Sequence, residues 1–156
     1  MRVKIWGARG SVPSPGPETI RYGGNTSCVE VRLDDGSLII LDAGTGIRAL
    51  GLKMEEDPPP RIDILLTHLH MDHIQGLGFF RPLFEPGREV HIWGPPSTTQ
   101  GLRARLTKYL APPLFPVRIR DLARRHLARG ACGPARRMAA RGRAPRRRSG
   151  GRRPRA

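Results

Sequence analysis

THLHMDHIQG, residues 67–76, is the stretch on which the reading of this chain turns. Four side chains that can ligate a metal, His68, His70, Asp72 and His73, fall inside it, in a chain with only 5 histidines. An apolar run, Ile62 to Leu66 with Asp63 inside it, leads into them. Gly76, Gly78 and the aromatic pair Phe79–Phe80 follow. The pattern predicts a strand that ends in a metal-binding turn and continues into a helix.

The spacing has a physical reason. On an extended or tightly turning backbone, residues two apart point to the same side. His68 and His70 can then aim imidazole nitrogens at one ion, while Asp72 and His73, on the next turn, reach a second. Zinc accepts imidazole nitrogen and carboxylate oxygen together, and manganese or iron suit the same donors. Two such ions about 3.5–4 Å apart can hold a bridging hydroxide and clamp both oxygens of a phosphoryl displacement. A lone histidine is more often a packing or surface residue; three beside an aspartate point to a metal site. Asp63 is expected to cap or bond local backbone instead.

Composition narrows the rest. With 156 residues, one domain is the default. The formal charge of +15 is uneven: of 28 basic residues, 13 are arginines within 121–156, where Asp121 is the single acid. Residues 1–120 therefore carry 15 basic and 12 acidic groups, a net of +3. The basic balance belongs to the tail, so the whole chain does not read as a nucleic-acid binder. Cys28 and Cys132 stand far apart and outside any CxxC, which suggests neither a disulfide framework nor a thiolate zinc site. No apolar run approaches a membrane span, and MRVKIWGARG has no leader-like apolar stretch. The simplest expectation is a cytoplasmic location and no membrane partner.

Before the metal motif, Val3–Trp6 reads as a short strand, and GARGSVPSPGP after it as a loop long enough to line a site. Arg9 and Ser11 in that loop either touch an anionic substrate or belong to a solvated connector. Residues 28–33 and 38–41 read as strands of a hairpin turned by Asp34-Asp35-Gly36-Ser37. The second runs into Asp42-Ala43-Gly44-Thr45-Gly46, whose small residues allow close backbone approach but lack a phosphate-loop pattern. Asp42 is placed to support a metal-bound histidine rather than to ligate.

After the motif, Ile74, Leu77, Phe79 and Phe80 suit the buried face of the following helix. Glu89–Trp93 reads as a further strand with His91 structural. Ser97 reads as the N-cap of a helix from about 98 to 110, with Leu102, Leu106 and Leu110 on one face. Leu114–Ile119 resembles one more strand. From 121 to 156 Val, Ile, Phe, Tyr and Trp are absent, and this low-complexity segment is expected to be disordered. It is either a basic arm that contacts nucleic acid or a GC-rich gene read in a shifted frame. The abrupt change and the lack of aromatics to stack on bases favour the second.

These residues match something known. Through THLHMDH at 67–73 the chain resembles the metallo-β-lactamase-fold hydrolases, in their ribonuclease Z-like and cyclic-phosphodiesterase-like branch. GARGSVPSPG at 7–16, RYGGNTSCVEV at 21–31, LDAGTGIRALG at 41–51, HIQGLGFF at 73–80, WGPP at 93–96 and LFPVRI at 114–119 support the branch. The resemblance covers about residues 1–120 and implies an α/β (α+β) chain holding the N-terminal half of an αββα sandwich, followed by the tail. It implies a dinuclear site, usually zinc: His68 and His70 on the first ion, Asp72 and His73 on the second, Asp72 also handling a proton, and Asp42 in support. The implied reaction is attack of a metal-bound hydroxide on a phosphodiester, in a small molecule or RNA. Ligands that the family supplies from its second half have no match here. The expectation is thus a truncated hydrolase, weakly active or inactive as this chain. Its half-sandwich leaves one sheet face open to aggregation or a homo-dimer contact. The alternative is a non-catalytic protein that binds nucleic acid through its Arg-rich tail.

Overall fold

The computed structural model describes residues 1–54 and 56–116, so the readings for the tail at 121–156 lie outside the described residues. Five strands form one mixed sheet in chain order: β1 (Arg2–Gly7), β2 (Cys28–Arg32), β3 (Leu38–Leu41), β4 (Ile62–Leu65) and β5 (Val90–Trp93). β1, β2 and β3 pair antiparallel; β3, β4 and β5 pair parallel. The β2–β3 hairpin closes as its sequence predicts, with Gly36 at φ 84° in the turn. The parallel pairs need crossovers. Helix α1 (Gly46–Lys53) lies between β3 and β4, and the segment holding α2 (Met71–Ile74) lies between β4 and β5. Helix α3 (Leu102–Tyr109) follows β5.

The register sorts the two faces. Leu38, Ile62 and Val90 lie in one row, and Ile40, Ile64 and Ile92 in the next. All six are buried, against Ile47 and Leu50 of α1, Leu77, Phe80 and Leu83 of the second crossover, and Leu102 and Leu106 of α3. Full burial of such a side chain is worth about 1.5–3 kcal/mol, so this layer holds the domain together. The opposite face carries Val3, Ile5, Val29, Val31, Ile39, Leu41, Leu65 and Trp93. It has no covering layer among the described residues: Val3 is 55% exposed and Ile5 64%. The open face is the one expected of half an αββα sandwich.

Two polar groups on that face are satisfied by neighbours. Asp63 accepts two hydrogen bonds from the Arg61 guanidinium, at 2.7 and 2.8 Å, and one from the Trp93 indole at 2.8 Å. Its partners are side chains, not the local backbone that the sequence suggested. Partial burial pushes the Asp63 carboxyl up, but these donors outweigh it and hold it below the usual range. A depressed carboxyl stabilises the fold above its unfolded value and loses that contribution as pH falls through the folded one. Asp63→Asn is therefore expected to cost about 1 kcal/mol near neutral pH. The gap from the parent should close as acid protonates the Asp63 carboxyl in the folded state, read by urea unfolding at neutral and at strongly acidic pH.

The helices depart from the sequence in instructive ways. GIRALGLK folds as α1 although two glycines weaken it. Ile47, Leu50 and Met54 are buried, and a Cβ on Gly51 would stand 2.9 Å from the Phe80 ring. The helix after the metal motif is one turn long and passes into a 3-10 segment, Gln75–Phe79. The tighter winding moves Phe79 off the core face; it is 59% exposed, while Ile74, Leu77 and Phe80 are buried. Helix α3 starts at Leu102, not near 98, because Ser97 Oγ accepts from the amides of Thr99 and Gln100 in a local turn, and Gly101 takes the cap. Residues 112–114 form a turn in place of the strand start expected at Leu114.

Candidate metal centre

The topology collects three loops at one end of the sheet. β1, β3, β4 and β5 all point the same way, since β2 is antiparallel to both of its neighbours. The loop after β1, the Asp42–Thr45 turn after β3 and the Thr67–His70 turn after β4 therefore share the carboxyl edge, where open α/β sheets place their sites.

Backbone contacts lock the second turn to the third. Asp42 N–H donates to Leu65 C=O at 3.0 Å, Ala43 N–H to His73 C=O at 2.8 Å, and Gly76 N–H to Ala43 C=O at 2.9 Å. The approach is too close for side chains. A Cβ on Gly44 would lie 2.4 Å from the Asp72 carbonyl oxygen, and one on Gly76 would lie 2.1 Å from that of Gly44. The small residues of DAGTG thus let one backbone seat directly on another.

Asp42 is the hub. It is buried and sits at φ 60°, an unusual left-handed value for a residue other than glycine. Its Oδ1 accepts from Thr67 N–H at 2.9 Å and from Thr67 Oγ1 at 3.0 Å. Its Oδ2 lies 2.8 Å from His73 Nδ1, off the line of a formed hydrogen bond, and that buried ring nitrogen has no other partner. Thr67 Oγ1 in turn stands 3.0 Å from His68 Nδ1. Thr67 is a residue that the sequence quotes but gives no role. The signal for it was a hydroxyl two residues past the end of β4, the strand that pairs with the one delivering Asp42.

The imidazoles gather above this hub. The His68 ring centroid is 4.5 Å from that of His70 and 4.0 Å from that of His73. His68 therefore stands close to both of the other rings. His73 Nε2 is 3.4 Å from Asp72 Oδ2, which also accepts from the backbone N–H of Ser11 at 2.9 Å. That hydrogen bond is the main reason the Asp72 carboxyl lies below its usual range, with His73 and His68 adding to it. His91 is elsewhere, stacked on Trp93 with Nε2 2.7 Å from Glu89. Cys28 is buried, and that burial, with Glu30 and Asp42 nearby, pushes its thiol up to about 12.

The chemistry of this donor set fits a borderline ion. Asp42 and Thr67 lie against Nδ1 of His73 and His68, which leaves Nε2 of both rings for ligation, the usual division of labour around a ligating histidine. Among the described residues no three donors yet point at a common centre as a closed coordination shell does.

A family profile described as "Beta-lactamase superfamily domain" matches residues 38–155, more than half of the chain. The chain belongs to the beta-lactamase superfamily. The match takes in the parallel strands and both turns of the centre, and runs on past residue 120. Over 48 residues, 30% of the chain, this superfamily member is 50% identical to a ribonuclease Z of Deinococcus radiodurans, of which the match spans 14%. Over 62 residues it is 37% identical to a ribonuclease Z of Myxococcus xanthus, covering 38% of the chain and 20% of that protein. It is also similar to the crystal structure of human tRNase Z, short form, at 26% identity and a TM-score of 0.45, over 72% of the chain and 42% of that structure. The chain thus spans less than half of each relative. The metallo-β-lactamase fold expected from THLHMDH is the fold of this chain, as one sheet layer with its helices. No helix among the described residues is long and apolar enough to cross a membrane.

Proposed function

We propose that this chain carries the metal-holding part of a hydrolase that cleaves phosphodiesters. One observation carries the proposal: three imidazoles and Asp72 gather at the carboxyl edge, with Asp42 and Thr67 lying against Nδ1 of His73 and His68 and His73 Nε2 beside the Asp72 carboxylate. His68, His70, Asp72 and His73 would hold zinc, with manganese or iron as chemical alternatives. When bound, the metal supplies a hydroxide near neutral pH and withdraws charge from the phosphoryl oxygens. The protein's own part is positional. Asp42 and Thr67 hold the rings, and Asp72 presents a carboxylate, one oxygen of which is engaged by Ser11, to accept the proton of the attacking water. The likeness to ribonuclease Z supports a phosphodiester in RNA as the substrate.

Four side chains fall short of two full coordination shells, so turnover by this chain alone is expected to be slow. The test is hydrolysis of bis-p-nitrophenyl phosphate with added zinc or manganese. The expected result is slow, chelator-sensitive turnover that drops to the level of metal in buffer in His70→Ala. Turnover unchanged in that variant would overturn the assignment.

The open sheet face supports a second expectation, self-association through Val3, Ile5, Val29 and Val31. Sedimentation velocity should show a dimer or larger species that Ile5→Lys returns to monomer. A monomeric parent would remove this contact from the account.

A further inference from the structure

Ser11 lies at the top of the loop after β1. Its φ is 63°, and Val12 N–H donates to Gly10 C=O at 2.9 Å, closing a three-residue γ-turn around it. A γ-turn with positive φ is rare and strained, more so without glycine. Within this turn the Ser11 amide donates to Asp72 Oδ2 at 2.9 Å, across 61 residues of sequence, while the positive φ carries the following chain away from that carboxylate.

The loop is stitched down on both sides of that point. Arg9 N–H donates to Asn25 C=O and Ser14 N–H to Gly24 C=O, each at 2.9 Å. A Cβ on Gly24 would lie 2.4 Å from the Ser14 carbonyl oxygen, so the second stitch is a tight backbone seat. The floor beneath is tied to the site as well: Thr26 and Thr45 exchange hydrogen bonds at 2.9 and 2.8 Å, and Gln75 Nε2 donates to Thr26 Oγ1 at 3.2 Å. Residues 10–13 are therefore a fixed arch over Asp72.

We propose that Ser11 is a positioning residue for Asp72, in which the left-handed backbone of the arch, not the hydroxyl, occupies Oδ2 and leaves Oδ1 as the working oxygen of the carboxylate. This deepens the reading of the site given above and rests on it. Strain of this kind persists where surrounding contacts over-determine it and collects at functional sites. A neighbour that orients a ligand commonly accounts for 10–100-fold in metal affinity.

The experiment compares zinc affinity, by competition with a coloured chelator, in the parent, Ser11→Gly, Ser11→Val and Ser11→Pro. Cobalt(II) absorption spectra of the same proteins read the geometry around the ion. Glycine keeps both the amide and the positive φ, so Ser11→Gly is expected to match the parent within about two-fold. Valine disfavours positive φ and proline removes the N–H. Both are expected to lose about ten-fold in affinity and to shift the cobalt bands, with thermal midpoints close to the parent's. Two variants that break one contact by different routes keep the test open if proline alone disturbs folding. Parent-like affinity and spectra in Ser11→Val and Ser11→Pro would overturn the proposal. So would a loss in Ser11→Gly equal to theirs, which would assign the effect to the hydroxyl. Zinc affinity in the parent that His70→Ala leaves untouched would instead overturn the reading of the site itself.

Discussion

Gly76→Ala is expected to cost about 3 kcal/mol and to open the site end of the domain, because its new methyl group has nowhere to go. The Cβ would stand 2.1 Å from the Gly44 carbonyl oxygen, 2.5 Å from Ile47 Cγ2 and 2.9 Å from the Ala43 carbonyl oxygen. Two of those three atoms are backbone, so no rotamer change relieves the clash. Relief requires moving the Asp42–Thr45 turn away from α2 and the 3-10 segment after it, which breaks Gly76 N–H to Ala43 C=O and Ala43 N–H to His73 C=O together. Those two bonds set the height of His73 over Asp42. Stability and metal affinity should therefore fall together, read as a lower urea midpoint and a weaker zinc titration on one sample. Gly10→Ala, where nothing lies within 4 Å, is the matched control and should behave as the parent does. If Gly76→Ala unfolds with the parent's midpoint, the close seat between the two turns is wrong.

Asp42→Ala is the second large effect. It removes the acceptor for Thr67 N–H and Thr67 Oγ1 and the carboxylate beside His73 Nδ1. Leaving buried donors unpaired costs about 1–3 kcal/mol each, so a loss of about 2–4 kcal/mol is expected. Because Asp42 sits at φ 60°, alanine adds backbone strain as well. Asn tolerates that conformation and keeps one acceptor oxygen. Asp42→Asn should then recover much of the stability while still losing about 10–100-fold in zinc affinity, as expected when a charged group that orients a ligating histidine is neutralised. Denaturant unfolding and chelator competition separate the two losses. Equal stability in the parent and Asp42→Ala would contradict the role given to this hub.

The contrast between Asp42 and Ser11 shows what the sequence could carry. Asp42 was legible because it follows an apolar strand and precedes a run of small residues, a local pattern with one geometric use. The strands were legible for the same reason: alternation in β2 and the apolar runs of β3 and β4 set both faces, including the open one. Thr67 and the Ser11 amide were not legible as parts of the site. Their roles depend on which loops the sheet order brings to one edge, and a backbone N–H leaves no trace in residue type. Helix boundaries failed where local chemistry competed. Ser97 satisfies two amides in a turn instead of capping a helix, and Gln75–Phe79 tightens to 3-10 winding and turns Phe79 outward. Helix α1 was hidden by its own glycines, one of which is needed to admit the Phe80 ring.

The central claim is that His68, His70, Asp72 and His73 form one metal-holding centre. Its most direct test is zinc bound per chain, by equilibrium titration against a chelator, in the parent and in His68→Ala/His70→Ala. Binding in the parent that is abolished in the double variant, with an unchanged far-ultraviolet spectrum, is the predicted result. Equal zinc binding by both proteins would contradict the claim and place the metal elsewhere in the chain.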